Sequence, residues 1–232
     1  MAKYRDNLPL LETNQVFLGE GGMMTEFFFG EETKDVRVGK GNLFFHLLRD
    51  DKIVDWCERY HQKFMDLSLK ENSGFGYIIL AFWTYKATKN NVKEHLNIGE
   101  EEWIKMNKEY IQWLYDLRTK YETSIPNCPP ILIQGLLLAK GGNGDAFTVD
   151  TRMTCEESEK YHGDQIEMFA KETQVDFIVI FLVSYSEEAI GVCKAASKYE
   201  LPVVISYTTD IKGCLKGGES IKVSITLKNY IL

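Results

Sequence analysis

Five short apolar runs, separated by longer stretches of helical period, constrain this chain more than any other feature. The runs are Val16-Phe17-Leu18, Tyr77 to Phe82, Ile131-Leu132-Ile133, Phe177 to Phe181 and Pro202 to Ile205. They are continuous rather than alternating, which is what strands buried on both faces require. Between them, Trp103, Met106, Tyr110, Leu114, Leu117 and Tyr121 recur every three or four residues and predict a helix from Glu100 to Tyr121. Its acidic start and basic end (Arg118, Lys120) suit the helix dipole. Ile53, Trp56, Tyr60, Phe64 and Leu67 predict another helix from about Asp51 to Leu67. Thr154-Cys155-Glu156-Glu157 reads as a capping box opening a helix that runs to about Thr173. Ser184-Tyr185-Ser186-Glu187 reads as a second such box before a helix ending near Tyr199. Strand and helix in alternation give βα units with right-handed crossovers, hence an α/β fold. Pattern alone does not choose between a barrel and an open sheet.

The chain has 232 residues, with 27 Lys and Arg against 34 Asp and Glu, a formal charge of −7. An acidic balance argues against a general nucleic-acid binder or a surface that docks on anionic lipid, both of which need clustered cations. No apolar stretch approaches the roughly 18 residues of a membrane span, and Met1 to Asn14 carries no signal-peptide core, so the cytoplasm is the expected address. The five cysteines, Cys57, Cys128, Cys155, Cys193 and Cys214, lie at least 21 residues apart. That spacing excludes a CxxC or zinc-knuckle motif and predicts free thiols, most of them buried.

In a parallel α/β architecture ligands bind at the carboxyl ends of the strands. The first run leads into Gly19-Glu20-Gly21-Gly22-Met23-Met24-Thr25-Glu26. There adjacent glycines let backbone approach a ligand while Glu20 receives an amine or hydroxyl; the competing reading is a tight turn with a solvated acid. The second ends in Trp83-Thr84-Tyr85-Lys86-Ala87, a hydroxyl, two aromatics and a cation at a strand terminus. The third leads to Lys140-Gly141-Gly142-Asn143-Gly144-Asp145, which matches neither phosphate-binding fingerprint and reads as a flexible loop. His162 reads as a surface or second-layer residue. Neither His46 nor His61 has a cysteine or carboxylate at ligand spacing, and no Ser/His/Asp or Cys/His arrangement can be assembled.

Together these fragments resemble the homocysteine S-methyltransferase family, zinc-dependent barrels that methylate a thiol. Val16 to Glu26 is similar to the family's opening strand and Asp-Gly-Gly-x-x-Thr-Glu, with Glu20 in place of the Asp. Thr84-Tyr85-Lys86-Ala87 resembles its Thr-Trp-Arg-Ala. Met153-Thr154-x-Glu156, Tyr161-His162-x-x-Gln165-Ile166, Glu187-Glu188-Ala189-Ile190-Gly191 and Leu201 to Thr208 follow in the family's order. The resemblance implies a TIM barrel and transfer of a methyl group to homocysteine, giving methionine. Glu20, Gly21, Gly22 and Thr84 are the substrate-binding candidates it implies. The family's methyl donors are several, and nothing in the sequence selects among them.

The departures carry information of their own. The third-strand loop is stretched over Leu136 to Asp145 and lacks the family's Pro and Arg, and the polar pair that ends the fourth strand becomes Phe181-Leu182. The resemblance implies zinc held by three cysteines, yet none of the five here falls on a zinc position, so no catalytic or metal-ligating residue is assigned. The strand starts average about 46 residues apart, so eight units would exceed 300 residues, above the roughly 250 of a typical barrel. Residues 1–232 are therefore expected to be one homocysteine-binding domain, a (β/α)8 TIM-barrel type with about five of eight units. Two functional readings follow: a thiol methyltransferase, or a catalytically inactive, truncated chain serving interaction. Open sheet edges and exposed inner faces would favour association between copies.

Overall fold

The computed structural model describes residues 2–9, 14, 16–34, 50–69, 75–85, 87–140 and 152–222. Five parallel strands run side by side in chain order: β1 (Phe17–Gly19), β2 (Gly76–Ala81), β3 (Ile131–Leu138), β4 (Phe177–Val183) and β5 (Val203–Tyr207). Consecutive order without reversal is barrel winding rather than the doubly wound sheet, and the sheet curls as an incomplete TIM barrel. The helices are α1 (Met23–Phe29), α2 (Asp51–Leu69), α3 (Lys89–Leu96), α4 (Glu100–Ser124), α5 (Cys155–Glu172) and α6 (Ser186–Ser197).

Alternate strand residues sort onto two faces. Tyr77, Ile79, Ala81, Ile131, Ile133, Leu137, Ile178 and Ile180 join the core under the helices. Leu132, Leu136, Phe177 and Val179 face the barrel interior, where Leu8 and Tyr4 of the N-terminal segment pack on them. The expected exposure of the inner face is therefore confined. Those residues of β3 and β4 are buried, while Val204 of β5, in register with Val179, is 42% exposed. Among the described residues β1 and β5 each pair on one side only.

The helix predictions hold with shifts. The α4 stripe is buried from Trp103 to Leu117, but Arg118 does not serve the dipole: it turns inward to Asp176. On α2 the stripe drifts, so Leu67 is exposed while Cys57, His61 and Met65 are buried. The Thr154 capping box forms, with the Glu157 N–H on its hydroxyl. The second box does not: α6 starts after Tyr185, Ser184 Oγ donates to Leu182 O, and the Glu187 carboxylate is taken by Arg152. β3 runs on to Leu138, so Leu136 belongs to a strand rather than a loop. Gly135 permits that, because a Cβ there would meet Ile178 and Phe169 at 3.1 and 3.3 Å. Gly141 to Asp145, like His46, lies outside the described residues.

The amino end of the sheet is closed by a buried clasp. Asp176 Oδ2 accepts from Arg118 Nη1 at 2.7 Å and Ile133 N at 2.8 Å, and its Oδ1 from Tyr4 N at 2.9 Å. Arg5 adds donors to the carbonyls of Ala170 and Val175.

Candidate functional site

The strand exits gather four groups of residues. After β1, Glu20 is buried, and its Oε2 lies 2.8 Å from Nδ1 of His61 on α2, with both side chains fully enclosed. The acid is thus not solvated, and His61, which sequence spacing left without a role, lies against it. Gly21 runs against α2 so closely that a Cβ would meet the Phe64 ring at 3.1 Å and the Tyr60 hydroxyl at 3.5 Å. Gly22 precedes α1, and its carbonyl accepts from Glu26 N. Burial, with the Glu20 charge adding to it, pushes Tyr60 up to about 12.

After β2 the chain leaves the ladder in a 3-10 turn, Phe82–Thr84. The last register pair is Ala81 with Gly135, so the next amide of β3 needs another partner. Buried Thr84 supplies it: its hydroxyl accepts from Leu136 N at 3.2 Å and donates to Ala81 O at 2.6 Å. Gln165 Nε2 of α5 in turn donates to Thr84 O at 2.8 Å. Glu20 and Thr84 therefore shape the exits through protein contacts, fixing the backbone of two neighbouring loops.

The exits of β3 and β4 carry a cluster that sequence reasoning missed. Glu188, buried in the first turn of α6, accepts from the Lys140 amide at 2.7 Å, and His162 Nε2 lies 2.9 Å from the same oxygen. A carboxylate oxygen only accepts, so Nε2 carries the proton. His162 is thus a buried partner of Glu188, which fits the second-layer reading and not the surface one. Tyr185 accepts from Met153 N at 3.1 Å and stands beside Glu188; burial, helped by that charge, pushes it up to about 12. The signal available in the sequence was the ordered pair Tyr161-His162 and Glu187-Glu188; only the packing of α5 on α6 shows that they meet. At the end of β4, Leu182 adopts φ 65° at a break in register between Ile180 and Val183, where Phe181-Leu182 replaces the expected polar pair.

Three converging thiolates would be needed for the zinc site implied by the resemblance. Among the described residues no group of three or more His, Cys, Asp or Glu is placed to hold a metal ion. Cys57 and Cys193 are buried, whereas Cys128, Cys155 and Cys214 are partly exposed, so fewer thiols are buried than expected. Burial pushes the Cys57 thiol up to about 12, which makes it a protonated core group rather than a ligand. The described residues do not fit a zinc site.

Solved structures agree with this architecture. The metallated form of the homocysteine methyltransferase MmuM from Escherichia coli superposes with a TM-score of 0.73 at 15% identity, over 96% of this chain and 73% of that one. Its oxidised form gives 0.71 at 15% identity, over 94% and 70%, and its apo form 0.65 at 14%, over 96% and 70%. At such identity the likeness speaks for the fold alone. No curated protein matches the sequence. No helix among the described residues is long and apolar enough to cross a membrane. The sequence model of the homocysteine S-methyltransferases matches residues 17–229, nearly the whole chain, and the protein belongs to that family.

Proposed function

We propose that this protein recognises homocysteine at the carboxyl ends of its strands and serves methyl transfer to the homocysteine thiol, with methionine as product. The observation that carries this reading is the family match running unbroken through the strand exits, from Glu20 to beyond β5. Residues 1–232 form one homocysteine-binding domain in this reading. Gly21 and Gly22 bring backbone to the ligand, while Glu20 and Thr84 hold the β1 and β2 exits in place. The test is to mix the purified protein with homocysteine and, in turn, S-methylmethionine, S-adenosylmethionine, betaine and a methylated folate, and to measure methionine. Formation of methionine above a protein-free control supports the proposal; calorimetry showing no homocysteine binding at millimolar concentration overturns it.

A second reading, binding without turnover, is favoured by Cys57, a thiol sealed in the core and far from thiolate character. Homocysteine binding with no methionine formed, and less than a tenth of an equivalent of zinc by metal analysis, would select it. Stoichiometric zinc with turnover would exclude it.

A further inference from the structure

The β3–α5 connection leaves the sheet at Lys140 and returns at Arg152 and Met153, and both ends are gripped by one short stretch of chain, Tyr185 and the first turn of α6. Glu188 takes the Lys140 amide at 2.7 Å, and Tyr185 takes the Met153 amide at 3.1 Å. Glu187 takes the Arg152 guanidinium at 2.8 Å. Arg152 also reaches Glu219 at 2.6 Å and the Gly217 carbonyl at 3.3 Å, tying in the segment after β5. The centre of this arrangement is Glu188. Its side chain is 1% exposed, one oxygen serves both Lys140 N and His162, and the other is buried without a hydrogen bond. Ser158 Oγ donates to its backbone carbonyl at 2.8 Å, which fixes the first turn of α6 on α5.

A buried carboxylate is expensive to desolvate unless its environment is arranged around it. Glu188 sits in the first turn of α6, where a negative charge suits the helix dipole, but it makes no side-chain cap. It fixes an amide at a strand exit, the part of a parallel α/β fold where ligands bind. We propose that Glu188 is a positioning residue for homocysteine: its carboxylate, oriented by His162, sets the geometry of the β3 exit on which ligand binding depends. This rests on the homocysteine reading for its ligand, but the grip on Lys140 can be measured without one.

The experiment uses the full chain and two readouts, hydrogen exchange at the Lys140 amide and homocysteine affinity by calorimetry. Glu188→Ala removes the acceptor and is expected to speed Lys140 exchange, and weaken homocysteine binding, by about tenfold or more, the size of a lost charge-assisted hydrogen bond. Glu188→Gln keeps an acceptor in place and should recover most of both. Leu201→Ala, in the core beyond the far end of α6, should lower the melting temperature while leaving both readouts unchanged, which separates positioning from stability. Exchange and affinity equal to the wild type in both Glu188 variants would overturn the proposal. If Glu188→Ala does not fold, Glu188→Leu, which fills the space without an acceptor, decides: Lys140 exchange no faster than in the wild type overturns it. Absence of homocysteine binding in the wild type would refute the ligand assignment, and with it the proposed function; Lys140 exchange would still decide the positioning role.

Discussion

Asp176 offers the sharpest test of what holds the half-barrel together. Its carboxylate accepts three hydrogen bonds, from Arg118, Ile133 N and Tyr4 N, and both members of the Arg118 pair are fully buried. Arg118 also lies 4.8 Å from the centre of the Tyr115 ring, so its position is fixed from two sides. Asp176→Ala strands a buried guanidinium and two amides. Removing one partner of a buried pair destabilises by about 3–5 kcal/mol, a large share of the roughly 5–15 kcal/mol that a folded domain has. Asp176→Asn keeps an oxygen toward Arg118 and Ile133 but turns a donor toward Tyr4 N. The lost backbone bond, about 1 kcal/mol, and the unpaired charge together set its cost at about 3 kcal/mol. Combining Arg118→Met with Asp176→Ala removes the stranded charge, so the double variant should be about 2 kcal/mol less destabilised than the sum of the singles. Urea unfolding followed by tryptophan fluorescence reads these values as shifts in midpoint at constant slope. A loss below about 1 kcal/mol for Asp176→Ala, or additivity within about 0.5 kcal/mol, would refute the account.

Other expectations are briefer. Gly191→Ala places a Cβ 2.5 Å from the Cys155 carbonyl and from Ser158 Cβ, forcing α6 off α5. It should cost about 1–3 kcal/mol, read as a lower melting temperature, and an unchanged melt would show that the helices yield freely. Native protein at pH 8 should leave Cys57 unreactive toward a disulfide reagent, because burial raises its thiol to about 12. Unfolding in guanidinium should release it, and rapid native labelling at Cys57 would contradict the burial. Burial alone would raise Glu187, but the Arg152 hydrogen bond and charge, together with a backbone hydrogen bond, outweigh it and hold the carboxyl below its ordinary 4.5. A lowered carboxyl stabilises above its unfolded pKa, and that stability is lost as pH falls through the folded value. The pair is partly exposed, so its contribution is at most about 1 kcal/mol. Arg152→Gln should therefore flatten the acid limb of stability below about pH 4.5, and an unaltered limb would remove the pair from the account.

What the sequence made legible follows from which forces are local. Apolar runs and helical stripes record burial directly, so the five strands, α2, α4, α5 and α6 could be placed within a few residues. The Thr154 box was legible because both of its hydrogen bonds close within four residues. α1 and α3 were not: Met23–Phe29 and Lys89–Leu96 are too short for a stripe to stand out. β3 was cut short because Gln134 and Gly135 look like a strand end, whereas Gly135 is where Phe169 presses on the sheet. The polar partnerships were the least visible. His61 with Glu20 spans 41 residues, His162 with Glu188 spans 26 and Arg118 with Asp176 spans 58. Spacing rules address ligands on one element, and each of these pairs joins two.

One strand explains two of those partnerships, Arg118 with Asp176 and His162 with Glu188. β3 has eight residues, against six in β2 and seven in β4, and it lies in the middle of the sheet. A strand longer than its neighbours carries main-chain amides past the end of each ladder, and a buried amide without a partner is costly. Side chains receive three of them: Asp176 takes Ile133 N at the amino end, Thr84 takes Leu136 N where β2 stops, and Glu188 takes Lys140 N beyond the carboxyl end. The first of these carboxylates is paired with a buried arginine and the last with a buried histidine. The amino end is thus tied to α4 by Arg118. The carboxyl end is tied to α5 by His162.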